Sequence, residues 1–152
     1  MNYIFPSREW VNALCTGLNG DRDFLNAING WRIDVLLVGR NLSPGVINHL
    51  QRTYGINKIE TIGVLFRFNN SCNEASLIIN PDINSYQYVV IADYDVWLKV
   101  LSGLSDPVTT MLSVFRRLEV RGGSMVTLVR LAANIVSPMA KVIMKIPTEI
   151  IK

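Results

Sequence analysis

The side chains able to do chemistry are few and scattered along the 152 residues. His49 is the only histidine. It sits between Asn48 and Gln51 with no nucleophile motif beside it, and reads as a solvated or helix-capping residue, not as a base or ligand. Asp93 and Asp95 are close enough in sequence for a carboxylate pair, yet their place at the start of a helical segment accounts for both through capping and the helix dipole. Cys15 and Cys72 read as isolated thiols, because neither belongs to a CxxC or Cys/His cluster. No glycine-rich phosphate loop occurs, and Arg121-Gly122-Gly123 is one short turn after a basic residue, too little for an RNA-binding repeat. Asn41-Leu42-Ser43 and Asn69-Asn70-Ser71 match glycosylation acceptors, which matter only in a secreted chain. No metal or cofactor is expected, and an enzymatic reading would need His49 or a cysteine to act on a bound thioester.

The elements that must position these residues follow from patterning. Ser7 can cap a helix after Pro6 with Trp10, Leu14 and Leu18 on one face; Gly17 and Gly20 are expected to weaken or interrupt it. Asp21 caps a second short helix with Phe24, Leu25 and Ile28, closed by Asn29-Gly30. Trp31–Val38 is a strand whose wholly apolar far half, Leu36-Leu37-Val38, should be covered on both faces. Ser43-Pro44 begins a helix ending at Tyr54-Gly55. Ile62, Val64, Phe66 and Phe68 alternate along a strand and, after an Asn69-Asn70-Ser71 turn, Ala75, Leu77 and Ile79 resume, which makes a hairpin. Tyr86–Ala92 is a further strand. Asp93 precedes a helix with Val96, Trp97, Val100 and Leu101, stopped by Gly103. Asp106-Pro107 starts another with Val108, Met111 and Leu112 on its inner face. Phe115–Arg121 suits a half-exposed fifth strand.

From Ser124 to Lys145 the polar residues Ser124, Thr127, Arg130, Asn134, Ser137, Lys141 and Lys145 recur every three or four positions. They form one narrow stripe on an otherwise apolar helix, so more of its surface must be covered than an ordinary surface helix requires. Pro138 should bend or break it. Charge is uneven as well. Seven Lys/Arg face two Asp/Glu from Met111 onward, against eight and ten before it, which suits acidic head groups, nucleic acid or an acidic partner.

The stretch Asp93–Leu131, with its Asp-capped Trp97 helix, Leu101-Ser102-Gly103 stop, Asp106-Pro107 restart, Leu118-Glu119-Val120 strand, Gly122-Gly123 turn and apolar helix, resembles the sterol carrier protein 2 family. The likeness spans roughly Trp10 to Met139. Phe115-Arg116 stands where a small residue is usual, and Gly123-Ser124 where an acidic residue often follows glycine. Asn41–Asn57 reads as an insertion, and the tail beyond Pro138 as an extension. The resemblance implies a single α+β domain over 1–152, its five-stranded, mainly antiparallel sheet covered by helices, with an apolar tunnel between sheet and C-terminal helices. The tunnel would be lined by Phe66, Phe68 and Leu77, by Trp97, Leu101 and Met111, and by Met125, Leu128, Val129, Ala132, Ile135 and Met139.

The function so implied is non-enzymatic binding or carriage of a lipid-like ligand, whether fatty acyl, acyl thioester, isoprenoid or sterol. Ten buried methylenes would contribute roughly 8 kcal/mol before ordering costs. The alternative is an interaction or dimerisation module, a homodimer included, built on the apolar C-terminal helix. Transient membrane-surface contact through the basic last quarter (Arg116, Arg117, Arg121, Arg130, Lys141, Lys145) is compatible with the first reading. Nucleic acid is not expected as a partner, because the basic residues are interleaved with aliphatics and not with stacking aromatics. The longest runs free of charged residues, Trp10–Gly20 and Asn41–Gln51, are 11 residues, so no membrane-spanning helix is expected. The first residues lack a basic, then apolar, leader, and a cytoplasmic location is the expectation.

Overall fold

The computed structural model describes residues 2–152. Short-range chemistry sets the helix starts. Ser7 accepts from the Trp10 amide, Asp21 from Phe24, Ser43 from Val46, Asp106 from Thr109 and Ser124 from Thr127. Each satisfies an amide that a helix start leaves without a backbone partner. They open α1 (Arg8–Asn19), α2 (Arg22–Ile28), α3 (Pro44–Tyr54), α5 (Pro107–Val114) and α6 (Met125–Met144). Helix α4 (Tyr94–Ser102) follows Asp93 directly, but the Asp93 side chain does not cap it.

Strands β2 (Arg32–Arg40), β3 (Ile62–Asn69), β4 (Cys72–Ile79), β5 (Tyr88–Asp93) and β6 (Glu119–Arg121) make one sheet in the order β4-β3-β2-β5-β6. The β2–β3, β3–β4 and β5–β6 pairs are antiparallel, and β2–β5 is parallel. The sheet is therefore mainly antiparallel, as the resemblance implied. A separate parallel pair joins β1 (Tyr3–Phe5) to β7 (Thr148–Ile150), bringing the two ends of the chain together.

Both sheet faces are covered. Ile33, Val35, Phe66, Phe68, Ala75 and Leu77 pack with Leu14, Leu18, Phe24, Leu131 and Ile135 of the helices. On the other face Leu36, Val38, Leu65, Val89 and Ile91 are covered by Ile78, Ile83 and Tyr86, because the β4–β5 connection must cross from the sheet edge past β3 and β2. This is why Leu36-Leu37-Val38 lacks polar alternation.

Several local expectations are corrected. Gly17 does not interrupt α1; a Cβ there would meet Val142 at 2.9 Å, so the glycine lets α6 approach α1 closely. Of the bend or break expected at Pro138, the break does not occur: α6 is one helix through it, and the carbonyl that proline leaves unpaired belongs to exposed Asn134, where water can solvate it. Phe115–Arg117 is a 3₁₀ turn and only Glu119–Arg121 is strand. Helix α5 faces inward through Val114, which packs on Ala92 and Val96, so Val108 and Leu112 point to solvent. Cys15 and Cys72 are not isolated: a disulfide joins α1 to the start of β4, a pairing between distant segments that spacing alone does not reveal. Asn19 reinforces it, its amide donating to the Cys72 carbonyl at 2.7 Å and its oxygen accepting from the Cys72 amide at 2.8 Å. By length and composition α6 is apolar enough to cross a bilayer, although only 28% of its apolar window is buried in the fold. Counting charge-free runs undersized it, because Arg130 and Lys141 interrupt an otherwise uncharged 20-residue helix.

Candidate functional site

Where α1, the α4–α5 link, the end of α6 and β7 converge, a cleft of about 470 Å³ opens. Trp10, Leu101, Leu104, Ile143, Met144, Ile146 and Ile150 supply apolar walls, and Ser102, Ser105 and Thr148 supply hydroxyls. Each wall has a local reason for its position. Trp10 lies one turn into α1 on the Leu14–Leu18 face, where its ring meets Phe5 edge-on at 4.8 Å. Its indole N–H donates to Thr148 Oγ1 at 3.0 Å, and that hydroxyl donates to the Ile146 carbonyl at 2.8 Å. Leu101 and Ser102 close α4, which Gly103 ends. Ile146, Thr148 and Ile150 alternate toward the cleft along the tail, which is held by Tyr3 N–H to the Pro147 carbonyl and Ile151 N–H to the Phe5 carbonyl. The Tyr94 hydroxyl donates to the Ile151 carbonyl at 2.5 Å, and burial pushes its pKa up, so it stays a donor at neutral pH.

A second cleft, about 500 Å³, lies at the start of β2 and β5 and is lined by Trp31, Ile33, Tyr86 and Tyr88 together with Arg32, Asp34, Ser85, Gln87 and Thr127. Its walls are more polar, so the smaller cleft fits an apolar guest better.

Of the residues expected to line a tunnel, Leu101 alone reaches the first cleft. Phe66, Phe68 and Leu77 are buried in the main core, where Phe66 stacks on Phe68 at 5.4 Å and Phe68 meets Phe24 at 5.8 Å. Trp97 donates to the Val38 carbonyl at 2.8 Å and packs beside Ala92, Val96 and Val114. Ile135 is buried, Leu128 and Met139 pack half-buried on the core, and Met111 and Ala132 are half-buried. Met125 and Val129 are exposed. No residue of the five-stranded sheet lines the first cleft. Trp10, Leu104, Ile143, Met144 and the tail complete it, and the alternation Ile146-Thr148-Ile150 was the sequence signal for the last of these.

The isolated candidates find other settings. His49 is half-buried on α3, and its Nε2 is buried with no hydrogen-bond partner. Asp93 takes hydrogen bonds from Arg40 at 3.0 Å and Asn41 at 2.9 Å, which hold its carboxyl below the usual range. Asp95 pairs with Arg117 at 3.1 Å, so the two aspartates serve separate ion pairs.

No family model matches the sequence, and no curated protein does. Solved structures do. A crystal structure of sterol carrier protein 2 superposes with a TM-score of 0.67 at 20% identity, covering 92% of this chain and 97% of that one. The chain has the sterol carrier protein 2 fold. A conserved hypothetical protein of Thermus thermophilus, named as a candidate sterol carrier protein, shares that fold with a TM-score of 0.70 at 19% identity, covering 94% of this chain and 90% of that one.

Proposed function

We propose that the chain binds a lipid-like ligand, with its apolar portion in the cleft between Trp10, Leu101, Ile143, Met144 and Ile150, and carries it without transforming it. The observation that carries this reading is a cleft of about 470 Å³ with seven apolar residues among its ten walls. Cavities of ~300–1,000 Å³ with mostly apolar walls and a few polar groups suit such ligands. Its polar groups are three hydroxyls and an indole N–H already engaged with Thr148, which suits orientation of a polar head more than acid–base chemistry. The likeness to sterol carrier protein 2 agrees with the same reading.

A fluorescent fatty-acid probe tests it. Saturable uptake is expected, and Leu101→Asp with Met144→Asp should weaken it by at least tenfold, since each places a charge where methylenes would otherwise be buried at about 0.8 kcal/mol apiece. No uptake by the native chain, or uptake indifferent to the pair, contradicts the proposal. Self-association through α6 is the second reading, favoured by the exposure of Val126 and Val129. A sedimentation-equilibrium mass equal to that of the monomer at every concentration would dispose of it.

A further inference from the structure

Six of the eight large apolar residues that the described structure exposes fall on α5, the turn after it and the first turns of α6, two helices packed against each other. Val108, Leu112 and Phe115 lie at i, i+4, i+7 along α5 and the turn after it, and Met125, Val126 and Val129 occupy the first turns of α6. Leu112 is 71% exposed and Val126 68%. Monomeric proteins seldom leave such residues clustered without a partner.

The arginines near them outnumber the acidic residues, four against Asp95, Asp106 and Glu119. Arg116, Arg117, Arg121 and Arg130 are all exposed. Arg117 is paired with Asp95 and Arg121 with Glu119, Arg130 lies over the Trp31 ring at 5.8 Å, and Arg116 has no carboxylate partner among the described residues. We propose that this face of α5 and the start of α6 docks on anionic lipid bilayers, the apolar residues entering the head-group region and the arginines meeting lipid phosphates. Apolar stripes flanked by arginine on helices that lie side by side suit an interface that is apolar beneath and anionic above. A second copy is a poorer occupant, because it would set the same arginines against one another. The inference rests on the carrier reading only for its purpose, a place where ligand passes between protein and membrane.

Co-sedimentation of the full chain with vesicles of equimolar phosphatidylcholine and phosphatidylglycerol, and with phosphatidylcholine alone, tests it. Binding to the anionic vesicles is expected to exceed binding to the neutral ones and to weaken as salt rises. Arg116→Gln should lower partitioning about fivefold. Leu112→Asp with Val126→Asp should lower it roughly a hundredfold, with the near-ultraviolet circular dichroism unchanged because both sites are exposed. Absence of binding to anionic vesicles, equal binding by both variants and the native chain, or a dimer that the Asp pair dissolves while vesicles are ignored, each overturns it. Fatty-acid uptake measured without vesicles is expected to survive the Asp pair, so failure of docking and failure of carriage are separate results.

Discussion

The Cys15–Cys72 disulfide closes a loop across a sequence separation of 57. Restricting the unfolded chain in this way scales with the logarithm of loop length and contributes about 4 kcal/mol for a loop of that size. The bond is not alone at its site. Asn19 holds the Cys72 amide and carbonyl together, and Gly17 lets α1 lie against Val142 of α6, so α1 has other reasons to stay docked. Cys15→Ala with Cys72→Ala should therefore fold to the same structure while losing most of that stability, a fall of roughly 8–16 °C in Tm for a domain of this length. Urea denaturation followed by tryptophan fluorescence, with and without dithiothreitol, measures it. The native chain should shift to the variant's midpoint on reduction, and the variant should ignore the reductant. Coincident midpoints for all four samples, or an intact mass showing two free thiols in the unreduced protein, would refute the reasoning. Collapse of the variant to an unfolded chain would show that the Asn19 and Val142 contacts are weaker than argued.

Other expectations follow from single contacts. Backbone donation from Phe24, then Lys141, holds the Asp21 carboxyl below its usual pKa, so its stabilisation is present above about pH 4 and is lost as pH falls through the lowered value. Asp21→Asn keeps a cap but removes that dependence; its deficit in urea midpoint should be full at neutral pH and shrink toward pH 2, and a constant deficit would contradict the assignment. Leu131→Ala, in a position only 2% exposed, should cost about 2–5 kcal/mol by the same assay. Thr148→Val removes the acceptor of the Trp10 indole and should cost about 1 kcal/mol, with a displaced indole N–H resonance as its spectroscopic mark.

What the sequence made legible was local. Ser7, Asp21, Ser43, Asp106 and Ser124 each bond the amide three residues on, a contact fully specified within one turn. Apolar alternation likewise marked β3 and β4, where Ile62, Phe66, Phe68, Ala75 and Leu77 share the helix-covered face. The cleft was not legible in the same way. Its walls join Trp10 to Thr148, and the pairing of β1 with β7 rests on three residues at each end of the chain, too short a run to stand out. Leu101 was found because it ends a recognisable helix. The resemblance implied Phe66 and Phe68 in a tunnel wall, but large aromatics opposite Phe24 are consumed by the core. The apolar excess of α6 was legible, and its destination was not: the second half presents Ile143 and Met144 to the cleft, while the first half leaves Val126 and Val129 in solvent.

The central claim is that the cleft beside Trp10 receives an apolar guest. Methyl and indole chemical shifts recorded while the protein is titrated with a long-chain fatty acid test it most directly. The Trp10 indole N–H and the methyls of Leu101, Ile143, Met144 and Ile150 are expected to move together and saturate with one ligand. Unmoved resonances there, or changes confined to Trp31 and Tyr88 at the opposite cleft, would contradict it.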